Sequence, residues 1–425
     1  MAELSRASKI AAVVRVTSGN FIEMYDFFLF GFYANAISKA FFPAANEYAS
    51  LMLTFASFGA GFLMRPVGAV VLGAYVDRVG RRRGLLLTLA IMAAGTALVA
   101  FVPGYSTLGL LAPLLVLAGR LLQGLSAGVE LGGVSVYLSE IASPGRRGFY
   151  VSWQSASQQL AIVVSALLGY GLNAWLDKPA LESWGWRIPF FVGAACALVG
   201  MRLRATMEET GEFEKARKAR KERGSLAELA RHPRAVLTVV GLTMGGTVAF
   251  YTYSIYMQKF LANTVGMSKL DATLVSGASL VLFAALQPLV GAISDRIGRR
   301  PILIAFGIFG TLFTVPIMTA ISHTHSAWTA FFLIVAALVI VSGYTSINAV
   351  VKAELFPAEV RALGVGLPYA VTVSIFGGTA EYIALWLKQA GHEEMFYWYV
   401  TGAIFCSLLV YIFSRDSKRH SRIED

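Results

Sequence analysis

Asn20, Glu23, Asp26, Phe30 and Tyr33 recur at helical spacing inside one long apolar run, so two carboxylates, an amide and a phenol share one helix face. Carboxylates one turn apart repel each other, and burial resists their ionisation, which suits this face to loading and releasing a proton near neutral pH. A second run carries Arg120, Gln123, Ala127 and Glu130 at the same spacing. Arginine keeps its charge when buried, and its planar fork meets a carboxylate through two parallel hydrogen bonds. Arg120 therefore has two readings, both open: it receives an anionic substrate, or it neutralises Glu23 or Asp26 and tunes their protonation. Glu130 reads equally as a packing acceptor and as a functional acid. Arg65 precedes Pro66 and is bracketed by Gly59, Gly61 and Gly68, small residues that mark a helix crossing. Its candidate partners are carbonyls freed by Pro66, or Glu381; a substrate contact is the minority reading.

Neutral groups complete the candidate site. Gln154 and Gln158 lie one turn apart, and Tyr251, Tyr253, Tyr256, Tyr344, Asn348, Tyr369 and Tyr382 offer hydrogen bonds from the second half of the chain. Asn20, Tyr33, Gln154, Gln158, Tyr251 and Tyr369 are the substrate-binding candidates among them, although any single aromatic is more often core. None of the five histidines falls within an apolar run, so any coupled protons must ride on carboxylates; Glu23 and Asp26 are the candidates, with simple pairing to Arg120 or capping of a neighbouring helix as their other reading. Cys196 and Cys406 read as small core residues, with no metal-ligand spacing around them. Nucleophile-elbow and phosphate-loop motifs are missing, which argues against a membrane enzyme and against any cofactor other than protons.

The elements that position these groups are membrane helices. Of the 425 residues, 56% are hydrophobic and 14% charged, against roughly 25% charged in a soluble domain. Twelve apolar stretches approach the roughly 20 residues of a spanning helix: 17–38, 50–74, 84–103, 109–138, 149–174, 187–203, 236–261, 271–293, 302–321, 327–350, 363–387 and 395–413. The expected fold is an all-α membrane protein with twelve transmembrane helices in two pseudo-symmetric six-helix bundles. Residues 1–203 form the first bundle, 204–234 a solvated cytoplasmic connector, and 235–425 the second bundle with a short tail. The first run follows a polar start and lacks a cleavage pattern, so no removable signal peptide is expected. The net charge of +11 follows topology rather than nucleic acid. With both termini in the cytoplasm, the basic clusters fall on one side, and only Lys39, Lys178, Arg187, Lys259, Lys269 and Lys388 fall on the other.

The two halves repeat. Asp77-Arg78-Val79-Gly80-Arg81-Arg82 reappears as Asp295-Arg296-Ile297-Gly298-Arg299-Arg300, with Gly73 and Gly291 four residues ahead. Glu140, Pro144 and Arg147 are matched by Glu354, Pro357 and Arg361. Asp77 is placed to approach the N-terminus of a neighbouring helix and Arg81 to pair with Glu140; Asp295, Arg299 and Glu354 repeat the design. Such contacts would latch the cytoplasmic side and break on opening, in addition to anchoring topology by charge.

On these motifs the chain resembles the major facilitator superfamily. Its loop signature is present twice, and its fourth-span signature appears as Arg120-Leu-Leu-Gln123-Gly124. The first span from Arg15 to Tyr33 is similar to the metabolite–proton symporter branch. Arg65-Pro66-Val-Gly68, Glu130 to Glu140 and Ser152 to Gln159 resemble the citrate and tricarballylate symporters. Phe250 to Lys259, Arg361 to Val371 and Phe376 to Tyr382 look more like the 2-oxoglutarate permeases. The resemblance implies proton-driven import of a di- or tricarboxylate, with 2-oxoglutarate or another dicarboxylate as the alternative, by a monomer in the inner membrane. A proline or betaine carrier and a drug exporter are the remaining transport readings; the short tail disfavours the first, and the wealth of Gln and Arg the second.

Overall fold

The computed structural model describes residues 6–43, 47–218 and 225–423; positions 219–224, in the middle of the expected connector, lie outside them. Helices are the only regular elements among the described residues. Eleven are long and apolar enough to cross a membrane: Gly59–Val79, Arg81–Phe101, Leu111–Ile141, Arg147–Leu172, Gly185–Ala205, Pro233–Asn263, Leu270–Ile297, Arg299–Ser322, Ala327–Leu355, Arg361–Gln389 and Glu394–Phe413, spans 2 to 12 in chain order. Span 1, Arg6–Phe32, is 27 residues long, enough for roughly 40 Å of helix. Its polar stripe lowers its hydropathy below that of the others. Counting it gives the twelve expected.

Spans 1–6 and 7–12 form two bundles. In the first, span 4 packs on spans 2 and 3, span 5 on span 1, and span 6 on spans 1 and 3; in the second, span 12 packs on spans 7 and 9, and span 10 on spans 8 and 9. Span 8 against span 5, and span 11 against spans 2 and 4, join the halves. The crossing expected around Arg65 is present. A Cβ on Gly124 would overlap the Gly61 carbonyl, and one on Gly128 would overlap that of Arg65. Spans 2 and 4 thus approach backbone to backbone, which brings Arg65 and Arg120 together. The repeated loop turns through Gly80 at φ 115° and Gly298 at φ 102°, a backbone region open to glycine at little cost.

Three irregularities fall in the second half. Spans 7 and 11 each contain a π-helical turn, Tyr251–Tyr256 and Val373–Gly377. Span 10 breaks between Thr345 and Asn348. The carbonyl of Thr345 accepts hydrogen bonds from Asn348 Nδ2 at 2.8 Å and from Ser155 Oγ, across the bundle interface, at 2.6 Å. Interrupted helices commonly mark the working region of a transporter.

Two boundaries differ from the sequence expectation. The sixth helix continues to Ala205 and the seventh begins at Pro233, so 204–205 and 233–234 belong to the bundles. The start of the connector is also packed rather than solvated: Met207 and Phe213 are buried, and the Arg81 guanidinium lies 5.4 Å from the Phe213 ring centre.

Candidate functional site

The acid stripe of span 1 faces inward. Glu23, Asp26 and Phe27 line a pocket with Gly61 and Arg65 of span 2, Met92 of span 3, and Arg120, Gln123, Gly124 and Ala127 of span 4. Glu23, Asp26, Arg65 and Arg120 are all buried, and ionised groups at this depth cost about 2.5–3.5 kcal/mol each on the lenient insertion scale. Gln123, noted on the stripe but not among the candidate ligands, connects them. Its Oε1 accepts from Arg120 Nη1 at 2.5 Å, while its Nε2 donates to Asp26 Oδ2 and, at 3.3 Å, to Thr96 Oγ1. Arg120 therefore meets Asp26 through an amide. Its guanidinium also lies over Phe30, 4.3 Å from the ring centre. Glu23 Oε2 and Asp26 Oδ1 have no hydrogen-bond partner among the described residues.

Arg65 takes neither of the partners expected for it. Its guanidinium sits 4.3 Å from the Phe62 ring centre and 5.0 Å from that of Phe27, beside the Tyr251 phenol. Glu381 pairs instead with Lys259 at 2.6 Å, at a more exposed level. Tyr369, across the bundle interface, senses Glu23, Arg65, Tyr251 and Tyr344 electrostatically. Tyr251 and Tyr369 thus stand near Arg65 and Glu23 without lining the pocket itself.

Other candidates are occupied elsewhere. Gln154 Nε2 donates to the Leu131 carbonyl at 3.1 Å and its Oε1 accepts from Ser135 Oγ at 2.8 Å, tying span 5 to span 4. Asn20 Nδ2 donates to the Gln154 carbonyl and to Ser157 Oγ, both at 2.9 Å, and its Oδ1 accepts from Gln158 at 3.3 Å. These three amides bracket spans 1, 4 and 5, and both ends of the Gln154 amide already hold a protein partner. Tyr33 packs in a cluster with Phe30, Phe41 and Trp186 and is not among the residues lining the pocket. Glu130 takes the packing role: it accepts from Thr88 Oγ1 at 3.1 Å and pairs with Arg204.

The loop residues form a doubled joint between the halves. Asp77 accepts from the N–H groups of Ala362 at 3.1 Å and Leu363 at 2.9 Å, at the start of span 11. Asp295 accepts from Gly148 at 2.7 Å and Phe149 at 2.8 Å, at the start of span 5. Each carboxylate thus caps a helix of the opposite half, where unpaired N–H groups and the helix dipole favour negative charge. Gly291 permits one approach, since a Cβ there would lie 2.5 Å from the Gly148 oxygen. Arg81 pairs with Asp77 at 3.0 Å and Glu140 at 3.1 Å, and Arg299 with Asp295 at 2.8 Å and Glu354 at 3.2 Å. Arg361 reaches Glu140 from the other half at 2.6 Å.

Two further acids join this joint. Glu209, after span 6, accepts from the Arg81 N–H at 2.9 Å, and Asp416, after span 12, from the Arg299 N–H at 3.3 Å. Burial pushes the Glu209 carboxyl up, opposed by the N–H groups that cap onto it. Their matching positions just beyond the sixth helix of each half were the signal available in sequence.

The Major Facilitator Superfamily model matches residues 16–380 and 246–424. The chain is 46% identical to the alpha-ketoglutarate permease of Escherichia coli (strain K12), over 95% of this chain and 93% of that protein. It is 47% identical to the citrate-proton symporter of Salmonella typhi, again over 95% and 93%. Among solved structures, the proton:xylose symporter XylE bound to 6-bromo-6-deoxy-D-glucose superposes with a TM-score of 0.81 at 18% identity, covering 99% of both chains.

Proposed function

This chain belongs to the Major Facilitator Superfamily, and on that footing we propose that it imports a di- or tricarboxylate with protons across the bacterial inner membrane by alternating access. It is a transporter and not an enzyme. The observation that carries the reading is the buried pocket in which Glu23 and Asp26 stand with Arg65 and Arg120; relatives named for carboxylate transport supply its substrate class. The termini are assigned to the cytoplasm, on the side of the basic loops.

A polyanion entering a negative-inside cell is opposed by about 2.3 kcal/mol per charge per 100 mV. Protons carried on the span 1 acids remove that charge. In the proposed cycle the acids load, the substrate carboxylate replaces Gln123 Oε1 as the acceptor for Arg120, and the site opens inward. Loss of protons and of substrate in the cytoplasm completes it. Uptake of labelled citrate, tricarballylate and 2-oxoglutarate into vesicles, with and without an uncoupler, tests the reading. Carboxylate uptake that is insensitive to the uncoupler and leaves the medium pH unchanged would overturn it.

Arg120→Lys separates the site from the scaffold. Lysine keeps the charge but cannot hold Gln123 with a planar fork while stacking on Phe30. Uptake is expected to fall at least roughly tenfold, equivalent to 1.4 kcal/mol, with little change in thermal stability in detergent. Unaltered uptake would remove Arg120 from the site.

The two aspartate caps serve as the cytoplasmic gate. Each is worth about 1–2 kcal/mol as a charged cap. Asp77→Asn or Asp295→Asn is expected to shift the closed-to-open ratio of the cytoplasmic side by roughly tenfold, and the double variant further, because the caps share no partner. Spin-label distances between the cytoplasmic ends of spans 2 and 11, and of 5 and 8, read this directly. Distance distributions identical to wild type would exclude the gate.

A further inference from the structure

Lys352 is a buried basic residue that the pocket described above does not use. Its side chain lies in span 10 one turn beyond the break, is 0% exposed, and donates to Asn348 Oδ1 at 3.0 Å. The ammonium sits 4.1 Å from the Tyr369 ring centre and 5.8 Å from that of Tyr344. No carboxylate pairs with it among the described residues, in contrast to buried Arg81, Arg204, Arg299 and Arg361, each of which has an acidic partner. An ammonium has three N–H donors, and a buried charge left unpaired is costly unless something else compensates it.

Its position shows where compensation comes from. Tyr369, whose face it covers, is the same residue that senses Glu23, Arg65 and Tyr251. Asn348, its acceptor, also holds the Thr345 carbonyl at the break, which Ser155 of the first half reaches as well. The ammonium therefore stands on the second half's side of the interface, while Arg65 and Arg120 stand on the first half's side. Resting on the carboxylate reading above, we propose that Lys352 anchors one carboxylate of the substrate, so that a molecule with two or more carboxylates bridges the halves from Arg65 or Arg120 to Lys352. A monocarboxylate leaves one of these cations unmet. The arrangement makes carboxylate number the basis of selection, with the unsatisfied charge as the element that rejects the wrong substrate.

The test uses the full chain in proteoliposomes and in detergent, with 2-oxoglutarate, citrate and the monocarboxylate pyruvate as probes. Lys352→Gln and Lys352→Met are expected to fold, with melting temperatures equal to or above wild type, because a buried polar group without an ionic partner is removed. The upward thermal shift that citrate or 2-oxoglutarate gives the wild type should vanish. The KM for the preferred carboxylate should rise roughly thirtyfold or more, and Lys352→Arg should recover part of it. Wild-type KM and thermal shift in both neutral variants would overturn the proposal, as would loss of folding in both, which would make the ammonium structural. A wild-type protein that takes up none of the three probes defeats the carboxylate reading itself; carboxylate uptake indifferent to Lys352 defeats this inference alone.

Discussion

Glu23→Gln is expected to abolish accumulation of the carboxylate against its gradient while leaving counterflow exchange in place. Glutamine preserves the shape of the side chain and its place in the pocket beside Arg65 and Arg120, but it cannot gain and lose a proton. Each coupled proton brings about 1.36 kcal/mol per unit of pH gradient and about 2.3 kcal/mol per 100 mV. With both gradients imposed, one lost proton lowers the attainable accumulation ratio by a few hundredfold, on the order expected at 1.4 kcal/mol per factor of ten. Folding should hold, because one carboxylate oxygen has no partner among the described residues and neutralising it removes a buried charge. The experiment compares gradient-driven accumulation with substrate-for-substrate counterflow in the same vesicles. Wild-type accumulation in the variant would clear Glu23 of the coupling role and direct the assay to Asp26→Asn. Failure of both accumulation and counterflow would place Glu23 in substrate binding instead.

The sequence made the architecture and its duplication readable because both depend on signals repeated along the chain. Hydropathy marks the spans, and the Asp77 and Asp295 motifs repeat residue for residue, so even their approach to a neighbouring helix start could be anticipated. Periodicity also put Glu23, Asp26 and Arg120 on inward faces. It could not say which neighbour each face meets. Asn20, Gln154 and Gln158 have the polarity of ligands, yet they bond to one another and, through Gln154, to Ser135 and the Leu131 carbonyl of span 4. Gln123 became central only once the fold set it between Arg120 and Asp26. Lys352 and Arg204 escaped for another reason. Both lie just past the end of an apolar run, where a charge reads as a loop residue, whereas the helices continue to Leu355 and Ala205. Helices longer than the hydrocarbon layer carry such residues back into the protein interior.

Arg204 supplies the largest expected loss of stability. Its side chain enters the first bundle between spans 1 and 3, donating to the Leu85 carbonyl at 2.7 Å, to the Val16 carbonyl at 3.0 Å, and to both oxygens of Glu130. Gly19 makes the room, since a Cβ there would overlap the guanidinium. Removing one member of a buried, hydrogen-bonded ion pair leaves the other charge uncompensated and costs about 3–5 kcal/mol. Arg204→Met and Glu130→Gln are each expected to lose that much, read as a large fall in detergent melting temperature and in folded yield. The double variant should recover much of the loss, because no charge is then left alone. That non-additivity identifies a scaffold pair, and it would also show in transport. Whatever Glu130→Gln protein folds should retain proton-coupled uptake, whereas Glu23→Gln protein folds and does not couple. Single variants as stable as wild type would mean that water or a neighbouring group compensates the charge. Additive losses in the double variant would mean that Arg204 acts through the two span carbonyls rather than through Glu130.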